Sequence, residues 1–198
     1  VTRFALAFIA CGFALAMLGR SERQRQYGDA LLGLGMIFFG MGVMSDAMAP
    51  LRDYQPFISL MVRMETPLLG ILVGALFTAL VQSSSATTGV VVVLASQGFM
   101  TLPGGIAVAL GANIGTCVTA MLAALGKPRP AVRAAAVHVV FNLGGVLLWV
   151  LFIEQLAQLT VSFSPVHPEL SGMARLAAET PRQIANANTL FNLLSTLL

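Results

Sequence analysis

A short run of hydroxyl and amide side chains interrupts the most apolar part of this sequence. It reads Gln82-Ser83-Ser84-Ser85-Ala86-Thr87-Thr88, and residues 66–126 contain no Asp, Glu, Lys or Arg. A second, looser polar group follows at Gly111-Ala112-Asn113-Ile114-Gly115-Thr116, with Thr119 just beyond it. In hydrocarbon every unpaired hydroxyl or amide is costly, so polar groups this dense predict contact with something other than lipid. We interpret the cluster as a site for a solute or an ion.

The composition indicates the environment in which this cluster lies. The chain has 198 residues, of which 57% are hydrophobic and 10% charged, whereas an average soluble domain has about 25% charged residues. Charge-poor runs occur at 4–19, 30–45, 66–126 and 134–153, and a membrane-spanning helix needs about 20 mostly apolar residues. These runs predict an all-α membrane protein with several transmembrane helices. The net charge of +3 resides in short loops, which argues for membrane topology and against a nucleic-acid partner.

The elements before the cluster follow from the same pattern. Residues 1–29 are predicted to form a leading transmembrane helix and a basic cytoplasmic loop that contains Arg20, Arg23 and Arg25. Residues 30–48 are rich in glycine, and missing side chains let a neighbouring backbone approach, so this helix is expected to pack closely inside the bundle. The link at 49–65 is a candidate for a short interfacial helix.

The cluster itself divides a helix into two limbs. The first limb, at 67–81, has about 15 residues and is too short to cross a bilayer; the return limb is expected at 86–94. One long helix through the cluster is one possible shape, and a re-entrant, broken-helix hairpin is the other. If both basic loops, near Arg20 and near Lys127, face the same side, the segment between them must enter and leave by one face. A re-entrant hairpin meets this condition, as would two short crossings.

Further helices are predicted at about 103–125 and 131–153. The loop at 162–180 is then extracytoplasmic, and 181–198 is a final membrane segment; the sequence is expected to be cut off at both ends. At an offset of 50 residues, Ala135, Phe141, Asn142 and Leu143 match Ala185, Phe191, Asn192 and Leu193. This partial internal repeat is consistent with related helices. Asn142 and Asn192 are interpreted as helix-packing residues.

The two polar groups, which follow one another at about 28 residues, resemble the sodium-dependent phosphate cotransporter family, that is, the type II Na/Pi cotransporters and their bacterial relatives. The resemblance also includes Arg182-Gln183-Ile184-Ala185-Asn186-Ala187 and Leu190-Phe191-Asn192. The resemblance begins near residue 30, and residues 30–161 hold the repeat with both main motifs. One departure is Asn188, which stands where relatives commonly have histidine, so no role is carried over to that side chain.

The resemblance implies a secondary active transporter of the cell inner (plasma) membrane, multi-pass, that couples sodium entry to uptake of inorganic phosphate. It also implies an inverted repeat with one QSSS-bearing re-entrant segment in each half. This chain contains a single QSSS and looks like the carboxy-terminal repeat. The second repeat is therefore expected to be missing from the chain or to be supplied by dimerisation.

The resemblance and the chemistry together predict the site residues. A broken helix offers free amide N–H groups to an anion, and hydroxyls and carbonyls to a hard cation such as sodium. The predicted phosphate ligands are Gln82, Ser83, Ser84, Ser85, Asn113 and Thr116. The predicted sodium ligands are Gln82, Ser83, Ser85, Thr87, Asn113, Thr116 and Thr119. No cofactor or transition metal is expected, because Cys11 and Cys117 lie in separate apolar segments without metal-ligand spacing.

Two alternatives remain open. One is a non-transporting membrane subunit that needs a partner repeat. The other is an intramembrane hydrolase that uses one of the serines with His138 as base, although neither a GxSxG motif nor an orienting carboxylate accompanies them. His138 is otherwise interpreted as a hydrogen-bonded core residue. Because the central stretch contains no carboxylate, sodium coupling is favoured over proton coupling.

Overall fold

The computed structural model describes residues 4–197, which fold into helices joined by short links. The α-helices are α1 (Ala5–Leu18), α2 (Glu22–Met48), α3 (Gln55–Arg63), α4 (Pro67–Val81), α5 (Ser84–Ser96), α6 (Leu102–Ala124), α7 (Arg129–Trp149), α8 (Ile153–Ser162) and α9 (Gly172–Leu197). Short 3-10 helices occupy Ala49–Asp53 and Val150–Phe152. No strand occurs within residues 4–197, which confirms the all-α prediction.

Several of these helices are suited to a membrane. By length and composition, the described residues contain three candidate spans, Glu22–Leu51, Leu102–Ala124 and Arg129–Ser162. A fourth is possible if α3 and α4, which meet at a bend of 107°, count as one broken span. Helix α1 has 14 residues and α5 has 13, and both are apolar but shorter than a full crossing. The chain is therefore a membrane protein, as its composition predicts.

The chain divides into two compact units, residues 1–49 and residues 50–198. In the described part of the first unit, α1 packs against α2 through glycines: a Cβ on Gly12 or Gly28 would overlap the backbone of the facing helix. Gly35 also lies against α1, at Ile9. The predicted close packing of the glycine-rich helix does not extend to Gly33, Gly40 and Gly42, which have no neighbouring atom within 4 Å of where a Cβ would be.

Close backbone contact between α4 and α6 organises the second unit. Gly74 lies against the carbonyl of Val108, and Gly111 lies against the carbonyl of Ile71. With no side chain between them, the two helices approach closely and bury their facing surfaces. Helices α6, α8 and α9 complete the apolar core of this unit, whose fully buried large side chains include Ile106, Leu110, Leu156 and Ile184.

Helix α9 begins earlier than the hydrophobic pattern predicts. It starts at Gly172, so Pro181, the predicted start of the last segment, lies inside the helix. A carboxylate ties the preceding link to the first turns of α9: the backbone N–H of His167 donates to Glu179 Oε1 at 2.7 Å, and Arg175 Nε donates at 2.9 Å. The His167 N–H bond, followed by the Arg175 side chain, lowers the pKa of Glu179. Local polar bonds therefore organise residues 172–180, which a search for apolar runs assigns to a loop.

Candidate functional site

The polar cluster lies at a break between α4 and α5. Gln82 adopts the left-handed conformation, with φ 58° and ψ 27°, and ends α4. Nine residues of continuous helix would separate Thr78 from Thr87 by about 13 to 14 Å, yet their hydroxyl oxygens are 2.7 Å apart. The chain therefore turns back on itself at Gln82 and Ser83. This geometry excludes one long helix through the cluster and forms a helix–break–helix hairpin.

A buried hydroxyl pair holds the two limbs of this hairpin together. Thr78 is 0% exposed and Thr87 is 2% exposed. The Thr87 hydroxyl donates to the carbonyl of Ser83 at 3.1 Å, which leaves the Thr78 hydroxyl as donor to Thr87. The resulting chain of hydrogen bonds, Thr78 to Thr87 to the Ser83 carbonyl, connects the end of α4 to the first turn of α5. It fixes the position of the serines at the break.

The pair gives a prediction about stability. Replacing Thr87 with valine leaves the Thr78 hydroxyl buried without an acceptor, and we expect this change to lower the free energy of unfolding by about 1–3 kcal/mol. Replacing Thr78 with valine is expected to cost less, because Thr87 keeps its bond to the Ser83 carbonyl. Replacing both is expected to cost less than the sum, because two apolar groups of the same shape then meet. Unfolding in detergent, followed by circular dichroism for the single and double variants, measures the difference.

A matched control is Thr160→Val. Thr160 is equally buried, but its hydroxyl donates only to Leu156 of its own helix, so its loss leaves no second hydroxyl without a partner. If the loss of unfolding free energy in the double variant equals the sum of the losses in the two single variants, the hydroxyls of Thr78 and Thr87 do not act together.

The first backbone N–H groups of helix α5, at the break, have no intrahelical acceptor. Ser83 is its N-cap, and the Ser83 Oγ accepts the backbone N–H of Ala86 at 3.2 Å. The N–H groups of Ser84 and Ser85 precede the first intrahelical bond, which runs from Thr87 N to the Ser83 carbonyl at 3.1 Å. Such N–H groups and the positive end of the helix dipole attract anions. The start of α5 thus presents two backbone donors and two serine hydroxyls.

These serines open onto a cavity between three helices. Its volume is about 390 Å³, and its lining residues are Ser84, Ser85 and Thr88 of α5, Ala109, Ala112 and Asn113 of α6, and Asn188 and Asn192 of α9. No charged side chain belongs to this lining. Hydroxyls and amides from three segments distant in sequence therefore meet around a space large enough for small ions.

A larger cavity of about 670 Å³ lies at the far end of α5. It is bounded by Asp53, Glu65 and a group of apolar side chains that includes Met61, Met100 and Met173. None of the predicted site residues borders it. Two carboxylates beside it repel an anion, so the smaller cavity is the better candidate for an anion site.

Asparagines form the wall opposite α5. Asn113 Nδ2 donates to the carbonyl of Ala109 at 2.9 Å and to Asn188 Oδ1 at 3.5 Å. Asn192 Nδ2 donates to the carbonyl of Asn188 at 2.7 Å and to Asn188 Oδ1 at 3.3 Å. Asn188 is thus the shared acceptor that links α6 to α9 beside the cavity.

The structure brings only some of the predicted residues to this cavity. Ser84, Ser85 and Asn113 line it. Gln82 and Ser83 form the break next to it, and Thr87 is committed to the buried pair. The Thr116 hydroxyl donates to the carbonyl of Ala112 at 2.9 Å. Thr119 Oγ1 is buried without a hydrogen-bond partner, and Thr119 does not border the cavity.

Three polar cavity residues are absent from the predicted site: Thr88, Asn188 and Asn192. Thr88 belongs to the polar run and follows Ser84 by four residues, which places both on one helical face. Asn188 and Asn192 have the same spacing in α9. That spacing is the sequence signal for a shared polar face, although it does not reveal which helix the face meets.

Comparisons with known proteins identify the family of this chain. The model of the Na+/Pi-cotransporter family matches residues 1–46 and 55–175. The chain is 31% identical over 175 residues to the uncharacterized protein YqeW of Bacillus subtilis (strain 168), which covers 88% of this chain and 53% of YqeW. The chain thus spans about half the length of that relative. No solved structure matches.

Mammalian relatives match a shorter part. Sodium-dependent phosphate transport protein 2C of Rattus norvegicus is 48% identical over 87 residues, which is 42% of this chain and 14% of the transport protein. Sodium-dependent phosphate transport protein 2B of Homo sapiens is 46% identical over 88 residues, again 42% of this chain and 13% of the relative. With the family model matched over most of its residues, the chain belongs to the Na+/Pi-cotransporter family.

Proposed function

We propose that this chain forms one half of a secondary transporter that couples sodium entry to uptake of inorganic phosphate across the cell inner membrane. The observation that carries the proposal is the cavity at which the start of α5 faces the amides of α6 and α9, in a chain of the Na+/Pi-cotransporter family. A second QSSS-bearing repeat, from the same polypeptide or from a second copy, would complete the site.

In this proposal, phosphate binds at the break. Ser84 and Ser85 donate through their hydroxyls and backbone N–H groups, and Gln82 and Ser83 lie at the rim next to them. The helix dipole adds a favourable potential for the anion. Asn113 extends the polar surface along α6, and sodium is bound by hydroxyl and amide oxygens that border the cavity.

The charge of the lining explains why sodium is required. Phosphate carries about one to two negative charges at neutral pH, and no Lys or Arg borders the cavity. Desolvating an anion without a counter-charge is expensive, so a cation must enter with it. No carboxylate or histidine borders the cavity either, which favours sodium over a proton as that cation.

The test is labelled-phosphate uptake into proteoliposomes that contain the complete gene product. We expect uptake with an inward sodium gradient and a fall to the level of empty liposomes when choline replaces sodium. A pH gradient imposed in choline is the control for proton coupling. Equal uptake in sodium and in choline would refute the proposal.

The hydrolase alternative needs a serine within hydrogen-bond reach of a base. His138 Nε2 is instead 3.4 Å from Asn142 Nδ2, within its own helix. Among the described residues neither Ser84 nor Ser85 bonds a histidine, and His138 does not border their cavity. The geometry therefore favours binding over hydrolysis at this site.

A further inference from the structure

The side-chain amides of Asn113 and Asn192, on the wall opposite α5, have a fixed orientation. Both amide hydrogens of Asn113 are used, one on the carbonyl of Ala109 and one on Asn188 Oδ1. Both amide hydrogens of Asn192 are used in the same way, on the carbonyl and on Oδ1 of Asn188. Turning either amide over would place its oxygen against a backbone carbonyl oxygen, which is repulsive. The nitrogens must therefore face the protein.

This orientation leaves the two carbonyl oxygens unused. An amide oxygen has two lone pairs, and within residues 4–197 no donor bonds Oδ1 of Asn113 or of Asn192. Both residues border the cavity, and Thr88 adds a hydroxyl oxygen from α5. The wall formed by α6 and α9 thus includes two amide oxygens without a donor from the described residues, beside the amide of Asn188, whereas the start of α5 offers the free N–H groups and hydroxyls of Ser84 and Ser85.

We propose that Oδ1 of Asn113 and Oδ1 of Asn192 bind the sodium ion, and that Asn188 holds both amides in the required orientation. The inference rests on the proposed function and deepens it, because it adds Asn192 and Asn188 to the site and assigns sodium to the α6–α9 wall. Phosphate then occupies the α5 side, next to the ion that neutralises it.

The ligand chemistry indicates a hard monovalent cation. Neutral oxygens suit sodium, whereas sites for Ca²⁺ and Mg²⁺ use carboxylates, and no carboxylate borders this cavity. A transition metal would require imidazole or thiolate ligands, and neither occurs in the lining. No titratable side chain borders the cavity to take up a proton.

The test measures sodium binding without phosphate. The complete gene product in lipid nanodiscs is titrated with sodium chloride against choline chloride at constant ionic strength, and the thermal unfolding midpoint is recorded. A ligand that binds the folded state raises this midpoint with its concentration. We expect the wild type to be stabilised by sodium, and Asn192→Leu to need a roughly tenfold or higher sodium concentration for the same rise, since one charged contact is lost.

Asn192→Asp and Thr189→Ala complete the comparison. The aspartate keeps an oxygen at the site and adds a negative charge, so half-saturation is expected at lower sodium than in the wild type. Its second oxygen faces the Asn188 carbonyl in place of the amide nitrogen, so its unfolding midpoint without sodium is expected to be lower. It also covers the case in which Asn192→Leu does not fold. Thr189 is exposed on the same helix and bonds only its own backbone at Ala185, so Thr189→Ala should titrate like the wild type. The inference would be overturned if the unfolding midpoint of the wild type, of Asn192→Leu and of Asn192→Asp depended on sodium in the same way. If Asn192→Leu does not fold, the same sodium dependence in the wild type and in Asn192→Asp would overturn it.

Uptake measurements on the same preparations separate the two proposals. Sodium-driven phosphate uptake, with half-saturating sodium unchanged by the Asn192 substitutions, would reject this cation site and leave the proposed function standing. Stabilisation by sodium that depends on Asn192, without sodium-driven uptake, would reject the proposed function and support the cation site.

Discussion

Replacing Gly111 with valine is expected to prevent residues 50–198 from reaching the folded state. A Cβ at this position would overlap the carbonyl of Ile71 in α4. Backbone atoms cannot rotate away as a side chain does, so α4 and α6 would have to separate. Separation would also remove the contact of Gly74 with Val108 one turn along. We expect a loss of at least about 3 kcal/mol, the upper end of ordinary overpacking costs, which is a large share of a typical domain's stability.

The measurement is the yield of monodisperse protein in detergent, followed by thermal unfolding of whatever is recovered. Gly144→Ala is the matched control, because Gly144 lies inside α7 and has no neighbour within 4 Å of an added Cβ. An alanine there is expected to be neutral or to add about 0.5–1 kcal/mol, through the lower entropy of the unfolded chain. A Gly111→Val protein as stable as the wild type would show that α4 and α6 do not meet as described.

Local patterns in the sequence predict the hairpin well. The first limb, predicted at 67–81, coincides with α4, and the polar residues that follow it form the break. Length and charge together carried this prediction: the limb is too short to span a bilayer, and placing both basic loops on one side requires the segment to enter and leave by one face. The Gly70 and Gly74 pair predicted an inward packing face, and both glycines lie against α6.

Contacts between distant segments could not be predicted in this way. Asn113 and Asn188 are 75 residues apart in the chain, and nothing in either local pattern reveals that they meet. Asn192 was interpreted as a packing residue, since an isolated asparagine in an apolar helix usually bonds a neighbouring helix; its position on the cavity wall depends on how α9 packs. The start of α9 was missed for a related reason, because an Arg175–Glu179 pair and a bond to His167 stabilise a turn that is not apolar.

Replacing Ser84 and Ser85 together with alanine is expected to reduce sodium-dependent phosphate uptake roughly a hundredfold or more. Each hydroxyl that donates to an anion contributes about 1.5–3 kcal/mol, and about 1.4 kcal/mol corresponds to a factor of ten. The backbone N–H groups at the start of α5 remain in this variant, so weak binding should persist at high phosphate. The change should therefore appear first as a higher half-saturating phosphate concentration.

Ser96→Ala is the control for this prediction, since Ser96 lies at the opposite end of the same helix and its hydroxyl donates to the carbonyl of Val93 at 2.7 Å. Initial rates of labelled-phosphate uptake, normalised to monodisperse protein in the liposomes, compare the two variants with the wild type. Helix α5 keeps its cap in both, because the Ser83 side chain is unchanged. Uptake at the wild-type rate and half-saturation in the double variant would mean that the two hydroxyls serve the structure of the break alone, and phosphate would then have to bind elsewhere.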